Sequence, residues 1–110
     1  MNFRKAIKRK IELSQTAFQM YLSSRTFASA VVLREINLDA CKHVMHHTGE
    51  FDDEEWVAIS QLVVHWNGWL QQFEFEQKAR LPKLDDEFIF ERVEGLTAWP
   101  KQINEVISGW

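Results

Sequence analysis

The sequence predicts an all-α protein, a bundle of four or five helices forming a single helical domain over residues 1–110. Three observations lead to this prediction. Apolar residues recur at three- and four-residue spacing along most of the chain. Capping residues precede these apolar runs, and glycine or proline follows them. The chain has 110 residues, 45% of them apolar and 26% charged, which is enough to bury one core and is typical of globular proteins.

The first two predicted helices lie in the N-terminal half. Helix 1 is expected from about Phe3 to Leu22, with Ile7, Ile11 and Phe18 on one apolar stripe. Helix 2 is expected from Phe27 to Thr48, and Thr26 and Gly49 are its start and stop signals. Its apolar arc is broad and includes Leu33, Ala40 and Val44 near the centre, extended by Phe27, Val31, Leu38, Cys41 and Met45. Such a helix is expected at the centre of a bundle or against a partner.

The clearest helix start in the chain is at Asp52. Asp52 can cap the helix while Glu55 reaches back to it, and Phe51 and Trp56 can pack across the cap. An apolar stripe follows without a break in phase, and it consists of Trp56, Ile59, Leu62, Val63, Trp66, Trp69, Leu70 and Phe73. This pattern predicts a third helix that reaches Arg80 and ends before Pro82.

A second interpretation of this region is an α+β fold. Asn67-Gly68 is a typical hairpin turn, and apolar and charged residues alternate in Phe73–Glu76. Under this alternative, three helices would be followed by a small antiparallel sheet formed by Trp69–Phe75 and Phe88–Val93. Because the stripe of helix 3 passes through Asn67-Gly68 in phase, the long helix is the preferred prediction.

Two shorter helices are predicted after Pro82. Asp85 can cap one that ends at Gly95, and Pro100 suits the first turn of another. In this last helix Trp99, Ile103, Val106, Ile107 and Trp110 recur at helical spacing. The core is predicted to contain Ile7, Ile11, Phe18, Leu33, Ala40, Val44, Ile59, Leu62, Val63, Trp66 and Leu70.

The segment Asp39–Glu50, DACKHVMHHTGE, contains three of the four histidines and the single cysteine. His43 and His47 are four residues apart, as two ligands of a helical zinc site are, and His46 is three residues from His43. The segment is also the end of a helix, where histidines interact favourably with the helix dipole. The helix end is the preferred interpretation, and a metal or ligand site at these three histidines is an alternative. Cys41 falls within the apolar arc and is expected to be a small buried hydrophobe.

A basic cluster lies at the start of helix 1 and consists of Arg4, Lys5, Lys8, Arg9 and Lys10. Residues 1–34 hold seven Lys/Arg and one acid, a net of +6, whereas the rest holds six against fifteen, a net of −9. The cluster could neutralise phosphates of a nucleic acid. The preferred interpretation is a solvated face that pairs with the acidic later helices, because the net charge of the whole chain is −3.

The chain has more large apolar side chains than a minimal core needs, among them five tryptophans and eight phenylalanines. Val57, Val64 and Phe75 fall together on a second face of helix 3, and Gly68 lies beside them. The candidate protein interface therefore consists of Val57, Val64, Phe75, Trp99 and Trp110. The alternative is that other helices of the same chain cover these side chains.

The sequence contains no pattern typical of an enzyme. Gly-rich phosphate loops, GxSxG, HExxH and CxxC are all missing, so we expect neither catalysis nor a cofactor. One cysteine is compatible with a reducing compartment, and no apolar run is long enough to cross a membrane, so a cytoplasmic location is expected. The predicted function is a tryptophan-rich interaction module, such as an adaptor, inhibitor or regulatory subunit, that forms a homodimer. The alternatives are nucleic-acid binding and a histidine-cluster site.

Overall fold

The computed structural model describes residues 2–79 and 86–110, and these residues form a helical bundle. The helices are α1 (Phe3–Ser24), α2 (Phe27–His46), α3 (Asp53–Ala79) and α4 (Asp86–Val106), with a short 3₁₀ helix (Thr48–Glu50) before α3. None of the described residues lies in a β-strand. The all-α prediction is confirmed, and the sheet alternative is wrong because both of its segments are helical, one within α3 and the other within α4.

Side-chain contacts between helices show that neighbours run antiparallel. Lys10 of α1 meets Asp39 of α2, and Arg34 of α2 meets Gln77 near the end of α3. The indole of Trp110, just beyond α4, donates to Glu55 at the start of α3. Helix α1 also packs on α4, so the four helices close a ring in chain order. The bundle is elongated, with principal extents of 44 × 23 × 21 Å.

Local hydrogen bonds explain where the helices start. Thr26 and Ser29 form a reciprocal capping box at the start of α2. Asp52 and Glu55 do the same before α3, since the Glu55 N–H donates to Asp52 Oδ1 at 2.7 Å and the Asp52 N–H donates to Glu55 Oε1 at 2.9 Å. Both predicted starts are confirmed. Because Arg25 adopts a left-handed φ of 47° and ends α1, α1 and α2 are joined by only two residues and must lie side by side.

The α2 C-terminus differs slightly from the predicted one. Helix α2 ends at His46 rather than Thr48, and the chain then tightens into the 3₁₀ turn that leads to the cap of α3. Phe51 and Trp56 pack across that cap with ring centroids 6.0 Å apart, as the hydrophobic staple predicts.

The hydrophobic core runs along the centre of the bundle. Every residue of the predicted core is buried except Phe18 and Leu62, which are partly buried and pack against it. The core also contains residues that the predicted list left out: Ile89, Val93, Leu96 and Ile103 of α4, and Ile107 just beyond it. Trp66 of α3 is the largest fully buried side chain. Burying side chains of this size supplies most of the favourable free energy of folding.

The prediction that a helix ends at Gly95 and another begins at Pro100 is wrong, because α4 continues through both. Gly95 keeps a negative φ and is not a helix cap. A Cβ at this position would lie 2.5 Å from Trp69 Cζ2, so glycine is required by the close packing of α3 on α4. Pro100 is buried inside α4. The predicted stop at Pro82 and cap at Asp85 lie outside the described residues.

Within residues 2–79 and 86–110, no helix combines the length and the apolar character that crossing a membrane requires.

Candidate functional site

The most conspicuous surface feature is an apolar line on the outside of α3. Val57 is 76% exposed, Val64 69% and Phe75 63%, although all three belong to the side-chain types that proteins usually bury. Val57 and Phe75 each lie nine residues from the buried Trp66. At about 100° per residue, nine residues place a side chain on the opposite side of a helix. These side chains therefore point away from the core.

The exposed surface around this line carries no formal charge along most of α3. Residues 56–73 contain no Asp, Glu, Lys or Arg, although such residues make up 26% of the chain. We call this surface the α3 face, and define it by the exposed residues Val57, Gln61, Val64, Gly68, Gln71, Gln72 and Phe75. A charge-depleted, partly apolar surface is typical of the centre of protein interfaces.

The relief of the α3 face alternates between protruding and low positions. Around Val64 there is a shallow groove of about 340 Å³ lined by Ser60, Gln61, Val64 and His65. One turn further along, Gly68 has no neighbouring atom within 4 Å of the place where a Cβ would lie. A partner backbone can therefore approach α3 closely at Gly68, whereas Val64 and Phe75 project from the surface.

The two tryptophans of the predicted interface contact other side chains of the same chain. Trp99 is partly buried, and its ring centroid is 5.7 Å from that of Trp69. Trp110 packs 5.2 Å from Phe51, lies under the guanidinium of Arg4, and donates from Nε1 to Glu55 at 2.7 Å. Of the five predicted interface residues, the three on α3 therefore share a free face, and the two tryptophans lie elsewhere.

The histidine cluster forms a stack at the end of α2. The rings of His43 and His47 have centroids 4.1 Å apart, and Phe3 of α1 lies 4.7 Å from His47. His47 Nδ1 is 2.8 Å from the carbonyl oxygen of His43. His46 is exposed and takes no part in this stack. Within the described part of the chain, no group of three or more His, Cys, Asp or Glu side chains is arranged to hold a metal ion.

The environment of His43 lowers the pKa of its imidazole below the ordinary value of 6.5. Burial is the main cause, followed by the neighbouring His47 and Lys10, whereas Asp39 acts in the opposite direction. The ring atom Nε2 is buried and has no hydrogen-bond partner in the described structure. Protonation of His43 is therefore less favourable in the folded than in the unfolded protein.

We expect His43 to make the protein less stable at mildly acidic pH. Because its pKa is lower in the folded than in the unfolded protein, the stabilising contribution is complete above pH 6.5 and is lost as the pH falls below that value. Urea unfolding between pH 7.5 and pH 5, in steps of about half a unit, measures this slope. The variant His43→Gln should have a flatter profile. His65→Gln, which changes an exposed histidine, should keep the wild-type slope, and an unchanged slope in His43→Gln would contradict the assignment.

Cys41 is fully buried, as its position in the apolar arc predicts. Burial raises the pKa of its thiol to about 12. The sulfur lies 3.9 Å from Met45 Sδ and 3.9 Å from the carbonyl oxygen of Val63. Because the thiolate is the reactive form, Cys41 is expected to be inert towards thiol reagents in the folded protein.

The residues of the basic cluster have different surroundings in the structure. Lys10 Nζ is 2.5 Å from Asp39 Oδ2 in an ion pair between α1 and α2, and Arg4 stacks on Trp110 at 4.7 Å. No ion pair is formed by Lys5, Lys8 or Arg9 with any described residue. The predicted pairing with acidic residues of later helices is therefore seen for Lys10 alone.

A group of buried polar side chains holds α3 against its neighbours. Glu76 Oε2 accepts from Arg92 Nη2 at 2.7 Å and from Arg92 Nε at 3.2 Å. Arg34 Nε donates to Gln77 Oε1 at 2.6 Å, and Trp66 Nε1 donates to Asn37 at 3.2 Å. These residues were not identified from the sequence. The available signal was that Glu76 and Gln77 follow Phe73 at the three- and four-residue spacing of the core stripe.

Comparison of this chain with protein-family models, with curated proteins and with solved structures finds no match in any of the three. Its function is therefore inferred from its own residues.

Proposed function

We propose that this protein is a non-enzymatic interaction module of the cytosol that binds another polypeptide through the α3 face. As an adaptor, inhibitor or regulatory subunit, it works by presenting a rigid helical surface. The observation that carries this proposal is the alignment of Val57, Val64 and Phe75, at 63–76% exposure, on one side of a helix that has no Asp, Glu, Lys or Arg between residues 56 and 73.

The rigidity of α3 supports this proposal. On its inner side the helix is fixed by the buried Ile59, Trp66 and Phe73. At its two ends it is fixed by the Asp52–Glu55 capping box and by the Glu76–Arg92 bonds. A surface on a fixed helix loses little conformational entropy when a partner binds, which leaves more of the favourable interaction free energy as affinity.

The free-energy cost of leaving Val57, Val64 and Phe75 in water also supports the proposal. An exposed valine or phenylalanine gains about 25 cal/mol for each Å² of apolar surface that a partner covers. Three such side chains in one line can form the central contacts of an interface, where a few residues carry most of the binding free energy.

Affinity capture with a matched control tests the proposal. The double variant Val64→Glu/Phe75→Glu places two charges on the α3 face without touching the core, so it should fold normally. The amount of each partner that it captures should be about tenfold or more below the amount captured by the wild-type protein. Met20→Glu is the control, because Met20 is also 63% exposed but lies on α1. Equal capture by the wild-type protein and by the double variant, quantified by mass spectrometry, would exclude the α3 face as the binding surface.

A second candidate function is the binding of nucleic acid by α1. The observation that favours it is that Lys5, Lys8 and Arg9 form no ion pair within the described residues, so their charges are available to phosphates. The acidic remainder of the chain works against this function, and it stays the alternative.

The salt dependence of binding tests this alternative. If α1 contacts phosphates, affinity for duplex DNA or RNA falls steeply with salt, and Lys5→Ala/Lys8→Ala/Arg9→Ala should reduce the slope of log K against log salt by about 2–3. Fluorescence anisotropy from low to physiological ionic strength measures both quantities. Lys101→Ala, which removes an exposed charge from α4, is the control. Absence of binding at low ionic strength removes this candidate.

A further inference from the structure

We propose that the partner on the α3 face is a second copy of the same chain, which packs its own α3 antiparallel to the first around a twofold axis level with Trp66. This inference rests on the proposed function, because it names the occupant of the surface proposed there. It follows from the order of residues along the α3 face. When a second copy of α3 runs in the opposite direction, the residues of its face can pack against those of the first.

The apolar and small residues are placed symmetrically about Trp66. Val57 lies nine residues before it and Phe75 nine residues after it, while Val64 lies two before and Gly68 two after. Two antiparallel copies of α3 centred on Trp66 therefore bring Val57 opposite the partner's Phe75 and Val64 opposite the partner's Gly68. The projecting Val64 then meets the position where no Cβ fills the surface. Both contacts occur twice in the dimer, as a twofold interface requires.

The charges at the two ends of α3 favour the same orientation. Asp53, Glu54 and Glu55 lie in the first turn, and Lys78 lies in the last. Asp53 and Lys78 are almost equally far from Trp66 and, at about 100° per residue, lie on the same edge of the α3 face. Antiparallel packing places each Asp53 beside the partner's Lys78, whereas parallel packing would bring like charges together. Antiparallel helices also align their dipoles favourably.

Lys78 is able to make this contact. Its side chain is 72% exposed, and its present ion pair, 2.7 Å from Glu74 Oε1, is with a residue of the same helix one turn away. Asp53 is exposed and forms no ion pair with a described residue. Between these ends the α3 face carries no charge that the interface would have to desolvate.

The size of the contact sets the expected affinity. A helix of this length is about 40 Å long and about 10 Å wide, which gives a contact of about 400 Å² per copy. This is smaller than a standard protein interface and in the range of weak, transient contacts, so the dimer is expected to form above about 10 μM and to dissociate on dilution.

Disulfide trapping between variants that each carry one introduced cysteine tests the occupant and its orientation together. Val57→Cys protein and Phe75→Cys protein, one of them labelled with heavy nitrogen, are oxidised with diamide separately and as a mixture. Met20→Cys serves as the control for random collision, since Met20 is exposed on another helix. Cys41 is present in every variant and is fully buried. Mass spectrometry then reports which chains are linked.

The mixture is expected to yield disulfide-linked dimers of unlike chains about tenfold faster than Met20→Cys links to itself, because the bound geometry raises the local thiol concentration. Val57→Cys alone and Phe75→Cys alone should link no faster than the control. Fast self-linking of either one would show a parallel or different arrangement and overturn the proposal. Linking of the mixture at the control rate would show that the chain does not pair through this face. In both cases the proposed function would still stand if capture of other proteins depends on Val64 and Phe75.

Discussion

Replacing Arg92 with methionine is expected to lower the free energy of unfolding by about 3–5 kcal/mol, the largest effect of any substitution considered for this protein. The Glu76 side chain is only 4% exposed, and the two bonds to its Oε2 come from Arg92. Its other oxygen, Oε1, is buried without a hydrogen-bond partner among the described residues. Without Arg92, a buried carboxylate would keep no partner at either oxygen. Urea unfolding at pH 7 measures the loss.

The stacking of Arg92 adds to this effect. Its guanidinium lies 4.9 Å from the ring centroid of Trp69 and 4.9 Å from that of Phe88, so it contacts two aromatic side chains. Lysine does not reproduce a planar group in this position, and Arg92→Lys is expected to recover only part of the stability.

A double variant separates loss of the ion pair from loss of packing. Arg92→Met/Glu76→Met removes both charges and keeps most of the volume, so it should be clearly more stable than Arg92→Met alone. If the double variant is as unstable as the sum of the two single variants, the ion pair does not explain the effect, and packing around Trp69 would account for it.

Replacing Gly95 with alanine is expected to lower the free energy of unfolding by about 2 kcal/mol. A Cβ would lie 2.5, 2.6 and 2.9 Å from three ring atoms of Trp69. The ring cannot move aside easily, because its Nε1 donates to the Arg92 carbonyl at 2.7 Å and its centroid lies 5.7 Å from that of Trp99. Overpacking usually costs up to about 3 kcal/mol, whereas alanine gains about 1 kcal/mol over glycine in helix propensity. The difference gives the expected loss of about 2 kcal/mol.

Gly68→Ala is the matched control, with the opposite expected sign. Gly68 lies inside α3 in open space, so alanine there adds helix propensity without a collision and should raise the free energy of unfolding by about 0.5–1 kcal/mol. Both variants are compared by urea unfolding at low micromolar concentration, where the proposed dimer is dissociated. An increase in stability for Gly95→Ala would show that Trp69 is not held in the observed position.

Much of the fold follows from local sequence signals. The starts of α2 and α3 are set by residues three apart, Thr26 with Ser29 and Asp52 with Glu55, so short-range hydrogen bonding predicts them. The continuation of α4 through Gly95 could not be predicted in this way. Glycine after an apolar helical run often marks a helix end. At Gly95, glycine is instead required because Trp69 on another helix leaves no room for a Cβ.

The same distinction between local signals and contacts between helices applies to the candidate site. Val57, Val64 and Phe75 were identified from the sequence because their separation from the core stripe is a matter of helical periodicity alone. Their exposure was not predictable, since another helix of the same chain could have covered them. The Glu76–Arg92 pair was missed for the same reason, because its recognition requires knowing which helices are neighbours.

Thiol footprinting of Val64→Cys in living cells tests most directly whether the α3 face is covered by another polypeptide. Cys41 is fully buried, and its thiol has a pKa of about 12, so it contributes little background. We expect the introduced thiol to be alkylated several-fold more slowly in the cell than in dilute purified protein, whereas Met20→Cys reacts alike in both. Equal alkylation of the Val64→Cys protein in the cell and in dilute solution would contradict the binding of a polypeptide to the α3 face.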